Sequence, residues 1–114
     1  MRDFRKLNIW SEAIEFAVSI YAITSKFPDH EKFGLRSQLN RASVSIPSNI
    51  AEGSRGSDKE FKQFLNIALG SSFEVETQLI LANRIGYITD ELSKEYIDRL
   101  NILQKRINAF RSTL

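Results

Sequence analysis

Few side chains in this sequence could carry out metal or acid–base chemistry, and their spacing argues against both. The only histidine, His30, falls in a predicted loop among acidic residues, so the Glu-x-x-His pairs of a ferritin-like site cannot be assembled. Glu74 and Glu76 resemble a carboxylate pair, but residues two apart on a helix point about 200° apart and cannot face one site. The sequence has no P-loop, nucleophile elbow or dinucleotide-binding motif, and no cysteine. We therefore expect no enzymatic activity, no metal and no cofactor.

A more informative pattern of polar residues runs from Gly34 to Gly53. The apolar residues of this segment fall in one arc of about 80°, which predicts an amphipathic helix. They are Leu35, Leu39, Ala42, Ile46 and Ile50. A second arc, of about 100°, is polar. It consists of Gln38, Arg41, Ser45, Ser48, Asn49 and Glu52.

This polar stripe has two interpretations. One is an ordinary solvated helix face. The other is a structural polar network between this helix and the next, because serines are poor choices for a merely solvated helix surface. The network would contain Gln38, Arg41, Asn49, Glu52, Glu74 and Glu76. In it, Glu74 or Glu76 pairs with Arg41, and the pair would specify the fold more than stabilise it.

The elements that position these residues follow from apolar periodicity and from helix-end signals. A chain of 114 residues with 42% hydrophobic residues predicts one domain, residues 1–114. We expect helix one from Asn8 to Lys26, helix two over the segment already described, and helix three from Ser57 to Ile85. The fourth helix is expected to begin at Thr89 and to carry its apolar seam to Leu114.

The helix ends have recognisable signals. Asp29 is a plausible N-cap for helix two, and Pro47 should bend that helix without ending it. Ser57 and Glu60 fit a capping box at the start of helix three, and Gly86 should end that helix.

Helices one and three carry more apolar faces than the core of a small bundle can bury. Helix one has two adjacent apolar seams. The first consists of Trp10, Ala13, Ile14, Ala17 and Tyr21. The second consists of Ile9, Phe16, Ile20, Ile23 and Phe27. Helix three has a main seam with two further apolar faces. Such a helix would expose a large apolar patch on a monomer. We therefore expect assembly with other copies, through an oligomer interface that includes Ile67, Phe73, Leu81 and Ile85.

Several blocks of the sequence also match one known family in order and spacing. They are F-P-D-H-E-K-F-G-L, R-S-Q-L-N-R-A-S-V-S-I-P-S-N-I-A-E-G and G-S-S-F-E-V-E-T-Q-L. Over a stretch from about Leu7 to beyond Tyr87, the chain resembles the four-helix bundle family whose founding members are encoded in intervening sequences of large-subunit ribosomal RNA genes. The resemblance implies a small cytoplasmic protomer that forms a homopentamer, with no known enzymatic activity and a suspected role with nucleic acid. A fold-related protein is the accessory protein of diversity-generating retroelements, a basic pentameric barrel that works beside a reverse transcriptase.

The fold expected from these observations is all-α, an antiparallel up-down-up-down four-helix bundle that assembles into a homopentameric ring. In that topology the amino terminus, the link between helices two and three, and the carboxyl terminus share one end. That end has nine basic residues against four acidic ones, a net charge of +5, whereas the other end carries −1. The nine basic residues are Arg2, Arg5, Lys6, Arg55, Lys59, Lys62, Lys105, Arg106 and Arg111. They are either solvated helix ends or the residues that bind RNA or DNA through phosphate contacts.

Three classes of function remain open at this point. The first is an oligomeric accessory protein that binds nucleic acid, and it is favoured by the charge asymmetry and the resemblance. A second is a ring-shaped scaffold for an unknown protein partner, which the surplus apolar surface would equally support. An enzyme comes last. The sequence has no apolar run near the roughly 20 residues of a membrane span, so we expect no membrane contact. A cytoplasmic location is what the resemblance implies.

Overall fold

The helices and their bounds agree closely with the sequence-based expectation. The computed structural model describes residues 2–114, and no β-strand occurs among them. The α-helices are α1 (Asn8–Thr24), α2 (Leu35–Gly53), α3 (Asp58–Ile85) and α4 (Asp90–Ser112). Short 3-10 helices cover Phe4–Lys6 and Asp29–Glu31. The all-α prediction with four helices is therefore confirmed.

Local capping explains where α3 and α4 begin and end. The Ser57 hydroxyl accepts from the Glu60 N–H at 3.2 Å, and the Glu60 carboxylate accepts from the Ser57 N–H at 3.1 Å, which completes the predicted capping box. That bond, with a second from the Ser57 hydroxyl, lowers the pKa of Glu60. Gly86 ends α3 with φ 99°, a left-handed conformation that favours glycine. Thr89 caps α4 by accepting from the Leu92 N–H at 3.1 Å.

The predicted cap of α2 is wrong. Asp29 begins the short 3-10 helix instead, and this turn holds it more than one helical turn away from the first residue of α2. Gly34 occupies the N-cap position and makes no side-chain cap bond. The Glu31 carboxylate takes over the role, because its Oε1 accepts from the Leu35 N–H at 2.9 Å.

The core lies between all four helices. α1 packs on α2, α2 on α3, α3 on α4, and α4 returns to α1. The second predicted seam of helix one is buried throughout: Ile9, Phe16, Ile20, Ile23 and Phe27. Ala13 and Ala17 of the first seam are buried as well. The predicted apolar seam of α2 is buried throughout, and the helix continues through Pro47 without interruption. On α3 and α4 the most deeply buried side chains are Phe61, Leu65, Val75, Leu79, Leu100 and Ile107.

Aromatic contacts tie the helix ends together. The Arg2 guanidinium lies 5.1 Å from the centre of the Phe61 ring, and Phe61 contacts Phe110 with ring centres 5.5 Å apart. The amino terminus, the start of α3 and the end of α4 therefore meet. Elsewhere, Tyr87 from the α3–α4 link contacts Phe27 from the α1–α2 link, with ring centres 5.3 Å apart. No helix within residues 2–114 is long and apolar enough to cross a membrane.

Candidate nucleic-acid interface

The predicted nucleic-acid-binding residues divide into paired and unpaired cations. Three are ion-paired with carboxylates: Arg2 with Asp58, Arg5 with Asp3, and Arg106 with Glu12. The Arg5 guanidinium donates to Asp3 at 2.9 Å and thereby lowers the pKa of that carboxyl. Glu12 was not counted at this end, so its presence reduces the net charge from +5 to +4. These three arginines are already engaged by the protein's own acids.

The other six predicted nucleic-acid-binding residues make no ion pair among the described residues, although one of them has an amide partner. Arg111 donates to the Asn66 side chain. Within residues 2–114, no ion pair involves the remaining five, which are all exposed: Lys6, Arg55, Lys59, Lys62 and Lys105. They lie on the amino-terminal turn, the α2–α3 link, the start of α3 and the last third of α4. We call these five lysine and arginine residues the basic rim.

The predicted ion pair of Arg41 does not form within the protomer. Arg41 makes no ion pair among the described residues, and Glu76 turns toward α4. There its Oε1 accepts from the Asn101 amide at 3.0 Å and from the Gln104 amide at 3.1 Å. Because Glu74 is two residues away, it points to a different side and lines the groove between α2 and α3 with Arg41.

The remaining members of the predicted polar network are also separated from one another. Asn49 bonds within its own helix, since its amide donates to the Ser45 carbonyl at 2.8 Å and to the Ser45 hydroxyl at 2.9 Å. The Ser45 and Ser71 hydroxyls share a 2.8 Å bond, which is the polar contact that joins α2 to α3. Gln38 lines the α2–α3 groove, while Glu52 lies beside the α2–α3 link. The polar stripe is thus not one network, since Asn49 bonds within α2 and, within residues 2–114, only Ser45 of the stripe bonds across to α3.

An apolar groove of about 540 Å³ runs between α1 and α2. We call it the α1–α2 groove. It is lined by Trp10, Ile14, Ala17, Val18, Tyr21, Val44, Pro47, Ser48 and Ala51. Four residues of the first predicted seam of helix one line this groove together with Val18, which was in neither seam. Val18 is 65% exposed and Tyr21 is 50% exposed. Exposed apolar side chains around one concave surface are typical of an interaction site.

The groove between α3 and α4 has a different lining. This α3–α4 groove, of about 660 Å³, is lined by Asn66, Leu69, Gly70, Phe73, Asn101, Gln104, Lys105, Asn108 and Arg111. Phe73 is 58% exposed in it. A Cβ built on Gly70 would meet no atom within 4 Å, so the protomer itself does not require glycine there. Glycine inside a helix costs about 1 kcal/mol relative to alanine.

The predicted interface residues fall on two sides of α3. Ile67, Leu81 and Ile85 are each about half exposed and lie on one side of the helix, which we call the α3 ridge. Phe73 lies on the other side, in the α3–α4 groove. The expectation that α3 exposes more than one apolar face is confirmed for the protomer, whereas the interface itself stays a prediction.

His30 and the acidic residues do not form a metal site. Within residues 2–114, no group of three or more histidine or carboxylate side chains could hold a metal ion. The His30 ring lies 3.2 Å from the Tyr87 hydroxyl, measured from its Nε2 atom. That hydroxyl donates to Glu31 at 2.7 Å, which lowers the pKa of Glu31 and raises the pKa of Tyr87.

Several residues that shape these surfaces were missed by the sequence-based reasoning. Glu12, Asn101 and Gln104 act through partners far away in sequence, so no local pattern marks them. Phe33 is 89% exposed beside Arg41 at the mouth of the α2–α3 groove. The only local signal for the exposure of Phe33 was its position directly before Gly34 and the start of α2.

Comparison with known proteins places the chain in a family. A family model described as 23S rRNA-intervening sequence protein matches residues 5–109. The chain belongs to this family. One similar solved structure is a protein of unknown function from the S23 ribosomal protein family of Bacteroides thetaiotaomicron VPI-5482. It is 29% identical, the alignment covers 90% of this chain and 97% of that one, and the TM-score is 0.80. No curated protein matches the chain in sequence.

The comparison confirms the resemblance that the sequence blocks indicated. Residues 5–109 include all three blocks, so the match extends over nearly the whole chain. The description of the family connects it with intervening sequences of 23S rRNA, and the solved relative has a similar fold and is described as a protein of unknown function.

Proposed function

We propose that this intervening-sequence protein is a non-enzymatic, cytoplasmic accessory protein that assembles into a homopentamer and binds RNA or DNA through its basic rim. The observation that carries the proposal is the group of five exposed cations without ion pairs at one end of the bundle. Cations already paired with carboxylates contribute little new attraction, whereas unpaired ones release counterions when they contact phosphates.

Contacts along the bundle support the topology on which the proposal depends. Between α1 and α4, Glu12 lies opposite Arg106 and Ser19 opposite Tyr96. Between α3 and α4, Asn66 lies opposite Arg111 and Glu76 opposite Gln104. In both pairs the residue numbers rise along one helix as they fall along the other, which is the pattern of an antiparallel up-down-up-down bundle. The basic rim of each protomer would then face the same way in a ring with a single axis.

A ring would multiply this charge. With five copies, a protomer end of +4 gives a circle of about +20 before counterions respond. Such a field raises association rates and non-specific affinity for polyanions, although no residue here reads a base edge. The expected behaviour is therefore weak sequence preference with a steep dependence on salt.

Charge reversal at the two ends tests the proposal. We expect that Arg55→Glu, Lys59→Glu and Lys62→Glu together reduce affinity for a labelled RNA hairpin or a DNA duplex by about 100-fold or more in about 50 mM salt. The matched control is Lys26→Glu, Lys32→Glu and Arg84→Glu, which changes the net charge equally at the other end. It should retain most of the affinity.

Two results would contradict nucleic-acid binding through the basic rim. One is the absence of any binding by the unmodified protein in about 50 mM salt. The other is an equal loss in both triple variants, which would indicate attraction by total charge only. Light scattering on each variant must show an unchanged mass, so that a loss of binding is not a loss of assembly.

A second candidate function is supported by the α1–α2 groove. A scaffold that binds another protein through apolar surface would use such a groove and would not need the basic rim. Its binding would depend little on salt, and the charge-reversal triple variant would leave it unchanged.

A further inference from the structure

The α1–α2 groove and the α3 ridge are complementary in shape and are uncovered in the same protomer. The first is concave and apolar, and the second is a convex row of large apolar side chains. On a helical wheel, Ile67, Leu81 and Ile85 fall within about 40° of one another. We propose that the α3 ridge of one copy lies in the α1–α2 groove of the next copy, in a head-to-tail contact. This inference rests on the assembly proposed above and specifies the surfaces that form it.

The two surfaces lie at similar heights along the bundle. The links that follow α1 and α3 meet at the Phe27–Tyr87 contact, and the segment before α1 meets the start of α3 at the Arg2–Asp58 pair. Val18 lies six residues before the end of α1, and Leu81 lies four residues before the end of α3. With a rise of about 1.5 Å per residue, the two positions differ by only about 3 Å in height. A copy can therefore follow its neighbour by rotation with little shift along the axis, which closes a ring.

The faces that carry the two surfaces also meet at a suitable angle. α2 packs on both α1 and α3, so it forms the corner between the groove and the ridge. Adjacent faces of a four-helix bundle meet at a corner, so each successive copy turns relative to the one before it and a small number of copies can close into a ring. Surfaces on opposite faces would instead favour an extended filament.

Charge and area agree with this pairing. The ridge carries one carboxylate, Glu74, between Ile67 and Leu81, and the exposed side of α2 carries Arg41. Neither makes an ion pair within residues 2–114. Ser45 lies opposite Ser71, so Arg41, one turn earlier, lies at the height of Glu74. Glu74 of one copy can thus meet Arg41 of the next.

The exposed apolar side chains of the two surfaces supply about half of the area that a small interface needs. Ile14, Val18, Tyr21 and Val44 in the groove and the three ridge residues are each between 37% and 65% exposed. Together they expose roughly 600 Å², about half of what a small stable interface buries in total. Trp10 and the polar rims of both surfaces would supply the remainder.

Thiol cross-linking tests the pairing directly, because the chain contains no cysteine. A protein with both Val18→Cys and Leu81→Cys, treated with a short bis-maleimide, should give a ladder of covalent oligomers. Each single variant alone should give none, and an equimolar mixture of the two should give covalent dimers only. The matched control is Leu81→Cys with Ile102→Cys, because Ile102 is 52% exposed on α4 away from the groove. It should give no ladder.

The outcomes separate this inference from the proposed assembly. Dimers from one single variant alone would indicate a two-fold contact and overturn the head-to-tail pairing. An oligomeric mass without cross-linking of the Val18→Cys and Leu81→Cys protein would overturn the pairing and leave the assembly standing. A monomeric mass would overturn both.

An independent test exchanges the two charges. Arg41→Glu and Glu74→Arg should each raise the dissociation constant of the assembly by about tenfold, and an equimolar mixture of the two variants should assemble better than either alone, because opposite charges then meet only between copies. A mixture that assembles no better than the single variants would contradict the proposed contact between Arg41 and Glu74.

Discussion

The α1–α2 and α3–α4 grooves have similar volumes, about 540 and 660 Å³, but their linings differ in kind. The first has a nearly continuous apolar lining, whose polar atoms are the Ser48 hydroxyl and the polar ends of Trp10 and Tyr21. The second is lined by amides and cations, several of which already bond to one another. Leaving the first in water costs free energy, whereas the second is stable when wet. The same bundle thus presents one surface that requires a cover and one that does not.

The difference follows from which residues face outward beside each helix pair. α1 places Ile14, Val18 and Tyr21 at the edge of the first groove. The facing side of α2 carries Val44, Pro47 and Ala51, so the groove between the two helices is apolar. At the other pair, Glu76 of α3 accepts from two amides of α4, which fixes those side chains in the groove. The largest expected effects therefore concern the cover of the first groove, and smaller ones concern the bonds of the second.

A charge placed in the α1–α2 groove tests most directly whether another copy covers that groove. Val18→Asp should raise the dissociation constant of the assembly by about 100-fold or more, because an unpaired carboxylate would be buried in an apolar interface. Val18 is 65% exposed in the protomer, so the helices should remain folded. Light scattering over a dilution series measures the effect, with far-ultraviolet circular dichroism to check helicity.

The control for this variant is Ile102→Asp, at a similarly exposed apolar position on α4. It should assemble like the unmodified protein. If Val18→Asp keeps the oligomeric mass at the same dilution, the groove is not covered by another copy, and the contrast between the two grooves has no consequence for assembly.

The sequence predicted the parts of the fold whose causes are local. A capping box involves residues three apart, and the left-handed end of α3 depends on Gly86 alone. The buried seams were also predictable, because they repeat at helical spacing. Even a local signal can mislead when a turn intervenes: Asp29 is a good cap by residue type, but the 3-10 helix puts Glu31 in reach of the Leu35 N–H instead.

Contacts between distant residues could not be predicted in the same way. Arg106 and Glu12 are 94 residues apart, and Gln104 and Glu76 are 28 apart. Which of several polar residues meet depends on how each helix is rotated about its axis, and the rotation of α3 places Glu74 beside α2 and Glu76 beside α4. The sequence therefore predicted that polar partners exist on α3 but paired Arg41 within the protomer, where no ion pair forms.

A substitution in the α3–α4 groove gives a second test, with a smaller expected effect on stability. Glu76→Ala should lower the free energy of unfolding by about 1–2 kcal/mol, because two amide donors lose a shared carboxylate acceptor. Urea unfolding at fixed protein concentration measures it, since dissociation would otherwise contribute. Glu95→Ala, at an exposed position on the same bundle, should change stability by less than about 0.5 kcal/mol.

The mass of the assembly distinguishes the two grooves in this experiment. Glu76→Ala should leave it unchanged, because its bonds are satisfied inside one protomer. A variant that both unfolds at the same urea concentration and dissociates would show that the α3–α4 groove, too, is covered by another copy.

The smallest expected effect lies outside both grooves, at Glu31. The Leu35 N–H and the Tyr87 hydroxyl donate to this carboxylate and hold its pKa below the ordinary value of 4.5. A carboxyl whose pKa is lower in the folded state adds stability above its unfolded pKa and loses it as the pH falls through the folded value. The stability that Glu31 contributes should therefore be full near neutral pH and decline below about pH 4.5.

Urea midpoints of the unmodified protein, Glu31→Gln and Tyr87→Phe between neutral and acidic pH measure this contribution. Glu31→Gln should be less stable at neutral pH, and its difference from the unmodified protein should shrink as the pH falls. Tyr87→Phe removes one donor but keeps the Leu35 bond, so it should show a smaller difference of the same form. Since neither groove contains Glu31, assembly and nucleic-acid binding should not change at neutral pH. A difference that is constant with pH would mean that Glu31 acts through packing rather than through its charge.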